Sequence, residues 1–264
     1  MLEQQQSSTI GQSDLLTGTI FVPTSKFSVI GSGFIFPTHL EAIQSVGKVV
    51  GYDTGEDCVS ILTPNDTHFK YCLEEAEKGK IVLCEKPLAL NSEDVKKLFG
   101  KDIFTVLQLK YHPLVKEIEV KDWNEIEMNI LVYRDDKYFS GWKGDEKRSG
   151  GILFNLGIHY FHLLLHLFGD ATETKLDFLD DRNAKGEIIG AKYKCKFTLK
   201  LDQDRNNQRR EFIINGKSFN FSKQDNLAYE NLHKFVYQDL IKGVGIRPEE
   251  AIKSIQLIEK LKWK

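Results

Sequence analysis

The chain has 264 residues, with 36 Lys+Arg against 38 Asp+Glu, a formal charge of −2 and 41% hydrophobic residues. These are the values of an ordinary globular protein long enough for two modest domains, and they exclude a disordered chain. The near-neutral balance argues against a dedicated nucleic-acid binder, which carries a basic excess.

Residues 1–26 start polar and Ser/Gln-rich (MLEQQQSSTIGQSD) and turn mildly apolar at TIFVP. They lack the basic start and apolar stretch of a secretory leader, and are expected to form an N-terminal extension. From residue 27 the pattern becomes regular. FSVIG (27–31) predicts a buried parallel strand, and PTHLEAIQSVG (37–47) a helix entered at a proline and left at a glycine. VVGYD (49–53), CVSILTP (58–64), IVLCEKP (81–87) and FTVLQLK (104–110) predict further strands. The spacing predicts a helix over 65–80, capped by Asn65 or Asp66 and ended at Gly79, and a short capped helix over 91–100. Strands alternating with helices predict a Rossmann-like, doubly wound parallel sheet of α/β class over 27–110.

Beyond residue 110 the character changes to an expected α+β half, 111–264, with a mainly antiparallel sheet. EIEMNILVYRD (125–135) alternates as a one-face strand does, and GGILFNLGIHYFHLLLHLFGD (150–170) reads as a loop entering an apolar helix. Strand-like stretches follow at 174–180, 187–202 and 209–222, the last with Asn215-Gly216 as a type I′ hairpin signal. Helical spacing over 226–243 and 247–262 closes the chain. The longest apolar run, FHLLLHLFG (161–169), falls short of the ~20 residues of a membrane span. Cys58, Cys72, Cys84 and Cys195 are widely spaced, with no CxxC or Cys/His cluster for zinc, so buried free thiols in a cytoplasmic protein are expected.

Four motifs carry chemistry. In VIGSGFIFPTH (29–39), Gly31 and Gly33 stand at a strand-to-helix turn, where backbone can approach a pyrophosphate at a helix N-terminus; Phe36 occupies the usual third-glycine position. Asp53 follows Gly33 by 20 residues, at the spacing of a ribose-binding carboxylate. Such a carboxylate repels a 2′-phosphate and favours NAD over NADP. TPNDTH (63–68) and CEKPLAL (84–90) put polar groups at carboxyl ends of strands, and Lys86, desolvated there, can exchange a proton with a substrate hydroxyl. Pro87 invites a cis bond after Lys86. In SGGILFNLGIHYFH (149–162), Asn155, His159 and His162 share one helix face. No carboxylate is in register with the histidines, so no metal is expected.

Together these motifs, in this order, resemble the Gfo/Idh/MocA family of NAD(P)-dependent sugar oxidoreductases over about residues 27–264. RDDKYFSGWKGDEKRSGGILFNLGIHYF (134–161), LQLKYHP (107–113) and the 209–222 hairpin are similar to the branch that oxidises C3 of UDP-N-acetylglucosamine-type sugars, UDP-N-acetylglucosaminuronate in particular. The resemblance implies hydride transfer to NAD in surface polysaccharide (lipopolysaccharide) biosynthesis. It implies Lys86 and His159 as acid/base groups and Asn155 as the residue that orients the sugar. Arg134 and Lys143 would meet an acidic sugar or a diphosphate. Cofactor contacts are implied for Gly31, Gly33, Phe34, Ile35, Asp53, Thr63, Pro64, Asn65, His68, Glu85 and Lys86. A homo-oligomer covering an open sheet face, and 2-oxoglutarate as reoxidant, are the further partners it brings; nucleic acid and membrane are not among them. A free-sugar or inositol dehydrogenase, or a non-catalytic member, are the alternatives.

Two departures stand out. His162 replaces an aspartate usual in the family, removing a carboxylate. Only Thr54–Asp57 separate Asp53 from Cys58. Four extended residues reach roughly 14 Å, whereas a parallel crossover normally takes a dozen or more. A local antiparallel hairpin, displaced strands, or the loss of an internal segment each satisfy that constraint, and the adenosine side of the cofactor site bears the consequence.

Overall fold

The computed structural model describes residues 25–222 and 232–262. Most of the expected N-terminal extension, and residues 226–231 of the helix expected over 226–243, lie outside the described residues.

The first sheet consists of β1 (Ser25–Ile30), β2 (Gly47–Val49), β3 (Cys58–Ile61), β4 (Ile81–Cys84) and β5 (Ile103–Thr105). All pairs are parallel, in the order β2-β1-β3-β4-β5. Burial on both faces explains the nearly unbroken apolar runs. Helix α1 (Phe36–Gln44) buries Ala42 and Ile43 on the face carrying Phe27, Cys58 and Leu83. Helix α2 (His68–Glu77) buries Cys72 on the opposite face, with Val59, Ile61 and Val82. The first face also receives Val236, Tyr237 and Leu240 of α7 (His233–Leu240), so a late helix returns to the first sheet. Asn91 caps α3 (Ser92–Lys96), accepting from the Asp94 amide. All four cysteines are buried and free.

The short connection after Asp53 has a specific solution. Strand β2 ends at Val49, opposite Phe27, and β3 begins at Cys58, opposite the same Phe27 on the other side of β1. The chain therefore has residues 50–57, not four residues, in which to cross β1. The lateral distance is two strand spacings, about 10 Å. Val50 N–H donates to the Phe27 carbonyl at 2.8 Å on leaving, and Asp57 N–H to the Lys26 carbonyl at 2.9 Å on arriving. A hairpin between the two segments is thereby excluded, and the strand expected over 49–53 shares only Val49 with β2, which starts earlier and stops halfway up the sheet.

The second sheet comprises β6 (Asn124–Tyr133), β7 (Ala171–Leu179), β8 (Asn183–Gly190), β9 (Tyr193–Asp202), β10 (Arg209–Ile214) and β11 (Lys217–Asn220). Its order is β11-β10-β6-β9-β8-β7, antiparallel except for the central β6–β9 pair. The single strand-like stretch over 187–202 is thus the end of β8 and all of β9. Asn215 and Gly216 take φ of 51° and 82°, as the type I′ turn demands.

Between this sheet and the first run the short helices α4 (Asp136–Phe139) and α5 (Glu146–Ser149), a widened π-helical turn (Leu153–Gly157) and α6 (Ile158–Phe168). Phe161 meets Phe197 edge-on at 5.4 Å, and a Cβ on Gly157 would lie 2.9 Å from Leu199, so the helix lies directly on the sheet. The helical segments of Glu146–Phe168 together are, contrary to expectation, long and apolar enough to cross a membrane, although the backbone turns left-handed at Gly150 and Gly151 between them. Of its apolar window, 78% is buried inside the fold, which makes it a core helix here. The last helix, α8 (Pro248–Lys262), packs on α3, α6 and β7.

Gly31 adopts φ +103° and an added Cβ would lie 2.8 Å from the Leu62 backbone, whereas Gly33 has open space around it. Gly31→Ala is expected to cost about 1–3 kcal/mol in urea unfolding, and Gly33→Ala less than about 0.5 kcal/mol. Equal effects would contradict this reading of the turn.

Candidate active site

The site is assembled where β3 and β4 end against the π-helical turn. Glu85 continues β4, its amide donating to the Ile61 carbonyl at 2.9 Å, and Lys86 follows with the Lys86–Pro87 peptide cis. Lys86 Nζ donates to the backbone carbonyl of Asn155 at 2.6 Å. That carbonyl belongs to the π turn, where the helical ladder is loosened; such turns recur at functional sites. Asn155 Oδ1 accepts from Asn65 Nδ2 at 3.2 Å, and the same amide group donates to the Ser149 carbonyl at 2.8 Å. Asn65 is therefore a brace between the two sheets and not the helix cap expected of it; α2 starts after Thr67 with no side-chain cap.

Burial pushes the Lys86 amine down to about 8; the Glu85 carboxylate opposes this, and the charges of Lys143 and Arg134 add to it. His159 is buried and held well below its usual range, first by burial and then by the Lys86 charge, so its imidazole is neutral at pH 7. Burial also lowers Lys143, with the Arg134 charge as second cause. Lys86, Lys143 and Arg134 thus form a cationic group. Lys143 lies 4.9 Å above the Tyr138 ring and 6.0 Å from that of Phe34, and the Arg134 guanidinium lies 5.1 Å above Tyr138. A cavity of about 250 Å³ opens here, lined by Tyr138, Lys143, Ser149, Gly151 and Asn155.

The turn after β1 faces the same region. Gly31 packs against the Leu62 backbone too closely for any Cβ, and α1 is entered at Ile35 without a side-chain cap, with the Phe36 N–H donating to the Gly33 carbonyl at 3.0 Å and Pro37 offering no N–H. Phe34 is 88% exposed beside this turn. Thr63 Oγ1 accepts from Thr67 at 2.8 Å and Pro64 leads into the following turn, both at the end of β3. This half of the site fits the diphosphate and nicotinamide of a dinucleotide, because Gly31 and Gly33 put backbone at the approach, with Phe34 at its rim.

Asp53 is not part of it. The residue takes φ +55° in the crossing loop, and its carboxylate pairs with Lys80 at 2.8 Å on the N-terminal side of the sheet, together with Glu56 and Glu75. The halved β2 carries the chain to the wrong edge for a ribose. His68 is also withdrawn: it is 1% exposed, with ring nitrogens 2.6 Å from the Pro87 carbonyl and 2.8 Å from that of Thr63, and it braces two strand ends. At position 162, where the resemblance leads one to expect a carboxylate, His162 Nε2 donates to Glu250 Oε1 of α8 at 3.0 Å.

Sequence reasoning passed over His39, His233 and Tyr237. His39 Nε2 lies 2.9 Å and His233 Nε2 3.3 Å from Glu85 Oε1. His39 ends the first motif, and His233 and Tyr237 are four apart on a predicted helix, which was the available signal.

Two profiles of one family match the chain: "Oxidoreductase family, NAD-binding Rossmann fold" over residues 52–101, and "Oxidoreductase family, C-terminal alpha/beta domain" over 114–226. The inositol 2-dehydrogenase of Rhizobium meliloti is 33% identical over 159 residues, 56% of this chain and 45% of that protein. The matched stretches span 22–53% of the length of the curated relatives, this one included. Among solved structures, the WlbA (WbpB) dehydrogenase from Thermus thermophilus superposes with a TM-score of 0.80 in its complex with NAD and alpha-ketoglutarate, at 24% identity over 89% of this chain and 94% of that one. Its complex with NAD and UDP-GlcNAcA gives 0.79 at the same identity and coverage. The paired family matches, the parallel sheet with its glycine turn and the Lys86–Asn155–His159 grouping agree, and the chain belongs to the Gfo/Idh/MocA oxidoreductase family.

Proposed function

We propose that this protein is an NAD-dependent dehydrogenase that oxidises the C3 hydroxyl of an acidic, UDP-N-acetylglucosamine-type nucleotide sugar in surface polysaccharide assembly. Residues up to about 110 form the dinucleotide half, and the remainder the substrate half. The observation that carries the reading is the cationic group of Lys86, Lys143 and Arg134 beside Asn155 and His159. A neutral polyol gives no return on gathering three half-buried cations, whereas a diphosphate or uronate does. The WlbA complex with NAD and UDP-GlcNAcA supports it by likeness of fold.

NAD, when bound, supplies the hydride acceptor. Gly31, Gly33, Phe34 and Ile35 would receive its diphosphate at the start of α1; Thr63, Pro64, Asn65 and Glu85 would border its nicotinamide side. Lys86, titrating near 8, takes the proton of the sugar hydroxyl as a neutral amine. His159, neutral, hydrogen-bonds the same oxygen and holds the C–H in line. Asn155, held by Asn65, orients the ring. Arg134 and Lys143 hold the acidic part of the substrate. 2-Oxoglutarate is proposed as reoxidant, and a second copy of the chain as the cover of the open sheet face. The inositol 2-dehydrogenase relative favours a second reading, oxidation of an uncharged cyclic polyol.

Purified protein with NAD and a sugar panel separates the two: turnover of UDP-N-acetylglucosaminuronate is expected, and turnover of myo-inositol alone would reject the proposal. Oxidation requires the unprotonated amine, so kcat should rise with pH through about 8, while the reverse reduction, which requires the ammonium, falls over the same interval. Lys86→Ala should lower kcat by about 10²–10⁴. Arg134→Ala and Lys143→Ala should each raise KM for the acidic sugar about ten- to hundredfold, and leave KM for an uncharged sugar nearly unchanged.

A further inference from the structure

Glu85 collects hydrogen bonds from three parts of the chain. Its Oε1 faces His39 Nε2 of α1 at 2.9 Å and His233 Nε2 of α7 at 3.3 Å. Its Oε2 accepts the backbone N–H of Lys86 at 3.2 Å. The side chain is only 13% exposed. Burial by itself would push its carboxyl up, but the imidazole N–H bonds of His233 and His39 override this and hold it well below the usual carboxylate range.

Proton directions follow from this. An ionised carboxylate only accepts, so both imidazoles carry their proton on Nε2. Burial keeps His39 neutral, so its Nδ1 is a bare acceptor. Tyr237 O–H, 2.8 Å away, must then donate to it. Tyr237 oxygen is in turn 2.8 Å from Ser60 Oγ on β3, which donates to it. One directed chain runs from Ser60 through Tyr237 and His39 to Glu85 and ends on the Lys86 amide. His233 joins it at Glu85, its ring edge-on to His39 at 4.9 Å.

The geometry points to His39 and His233 as positioning residues for Lys86: they hold Glu85 as an anion turned toward the lysine's own amide, so that helices α1 and α7 aim a side chain borne by β4. The inference rests on Lys86 being the acid/base group proposed above. The groups facing the Glu85–Lys86 pair are His39 from α1, His68 from α2, His233 and Tyr237 from α7, His159 from α6, Arg134 and Lys143 from the segment after β6, and Cys84 from β4. Glu85 is the anion among them. When it is neutralised, only cations and neutral groups face the amine, and the ammonium loses its support.

The ligating atoms of His39, Glu85 and His233 also lie within 4.8 Å of one another, close enough for a divalent transition ion. The two states exclude each other, because a metal would take the same Nε2 atoms that must carry protons in the hydrogen-bonded form.

The test uses the full chain without substrate or cofactor. Competitive acylation of lysines across a pH series, read by peptide mass spectrometry, gives the midpoint of Lys86. In the wild type it should fall near about 8. In Glu85→Gln, with both histidines intact, it should move down by about one unit, a tenfold change in proton affinity, and in His233→Ala, where the carboxylate stays ionised but loses one of its two imidazole anchors, it should move the same way by less. His233→Gln, whose amide places an N–H where Nε2 stood, should restore it. Turnover adds a second readout: His233→Ala should lower kcat about tenfold with KM for the sugar changed less than about twofold. A Lys86 midpoint that is unmoved in both His233→Ala and Glu85→Gln overturns the inference, as does failure of His233→Gln to restore it. Stoichiometric Co²⁺ uptake with d–d absorption, lost in His233→Ala, would also overturn it, in favour of a metal site. The expected midpoint shifts with no turnover on any sugar would instead overturn the proposed function and leave the positioning network standing.

Discussion

An ammonium-to-carbonyl contact joins the two halves at the site: Lys86 Nζ, at the end of a strand in the first sheet, donates to the Asn155 carbonyl on the helix that covers the second, at 2.6 Å. The contact exists only because the π turn frees that carbonyl and because β4 delivers the lysine to the rim of the parallel sheet. Around it the fold has arranged a buried cation with two further cations and a neutral histidine beside it. Burying such a group is costly without compensation. The compensation is Glu85 on one side and the Asn155 carbonyl on the other. The remaining braces, Asn65 to Ser149 and Asn155, keep the two sheets at the spacing this contact requires.

The shortened dinucleotide half shows how much a sheet tolerates at its edge. Stopping β2 at the level of Phe27 lets a short link cross β1, and the strand order on the active-site side is unaffected. The loss falls on Asp53, which is drawn into an ion-pair cluster with Lys80, Glu56 and Glu75. Tyr52 joins it, donating to Glu75 at 2.6 Å while Lys80 sits 4.8 Å above its ring.

Position 162 illustrates a partner found at a distance. The family resemblance leads one to expect a carboxylate at position 162; His162 stands there, and its Nε2 donates to Glu250 Oε1, 88 residues later on α8, at 3.0 Å. Reading position 162 alone suggests a missing group; reading the neighbouring helix finds an anion beside it.

The residues by themselves determined the elements and most of the chemistry. Period-two and period-3.6 patterning, a glycine forced to φ +103°, an Asn-Gly turn and a Lys-Pro step are local consequences of backbone sterics, and each is legible within a few residues. The grouping of Lys86, Asn155 and His159 was readable for the same reason, since each sits at a strand end or on one helix face. Tertiary structure alone decided where Asp53 goes, what His68 and Asn65 brace, and that His39 and His233, separated from Glu85 by 46 and 148 residues, meet on one carboxylate. Those outcomes depend on which buried charge needs a partner and which distant group can reach it. Such compensation leaves no periodic trace along the chain.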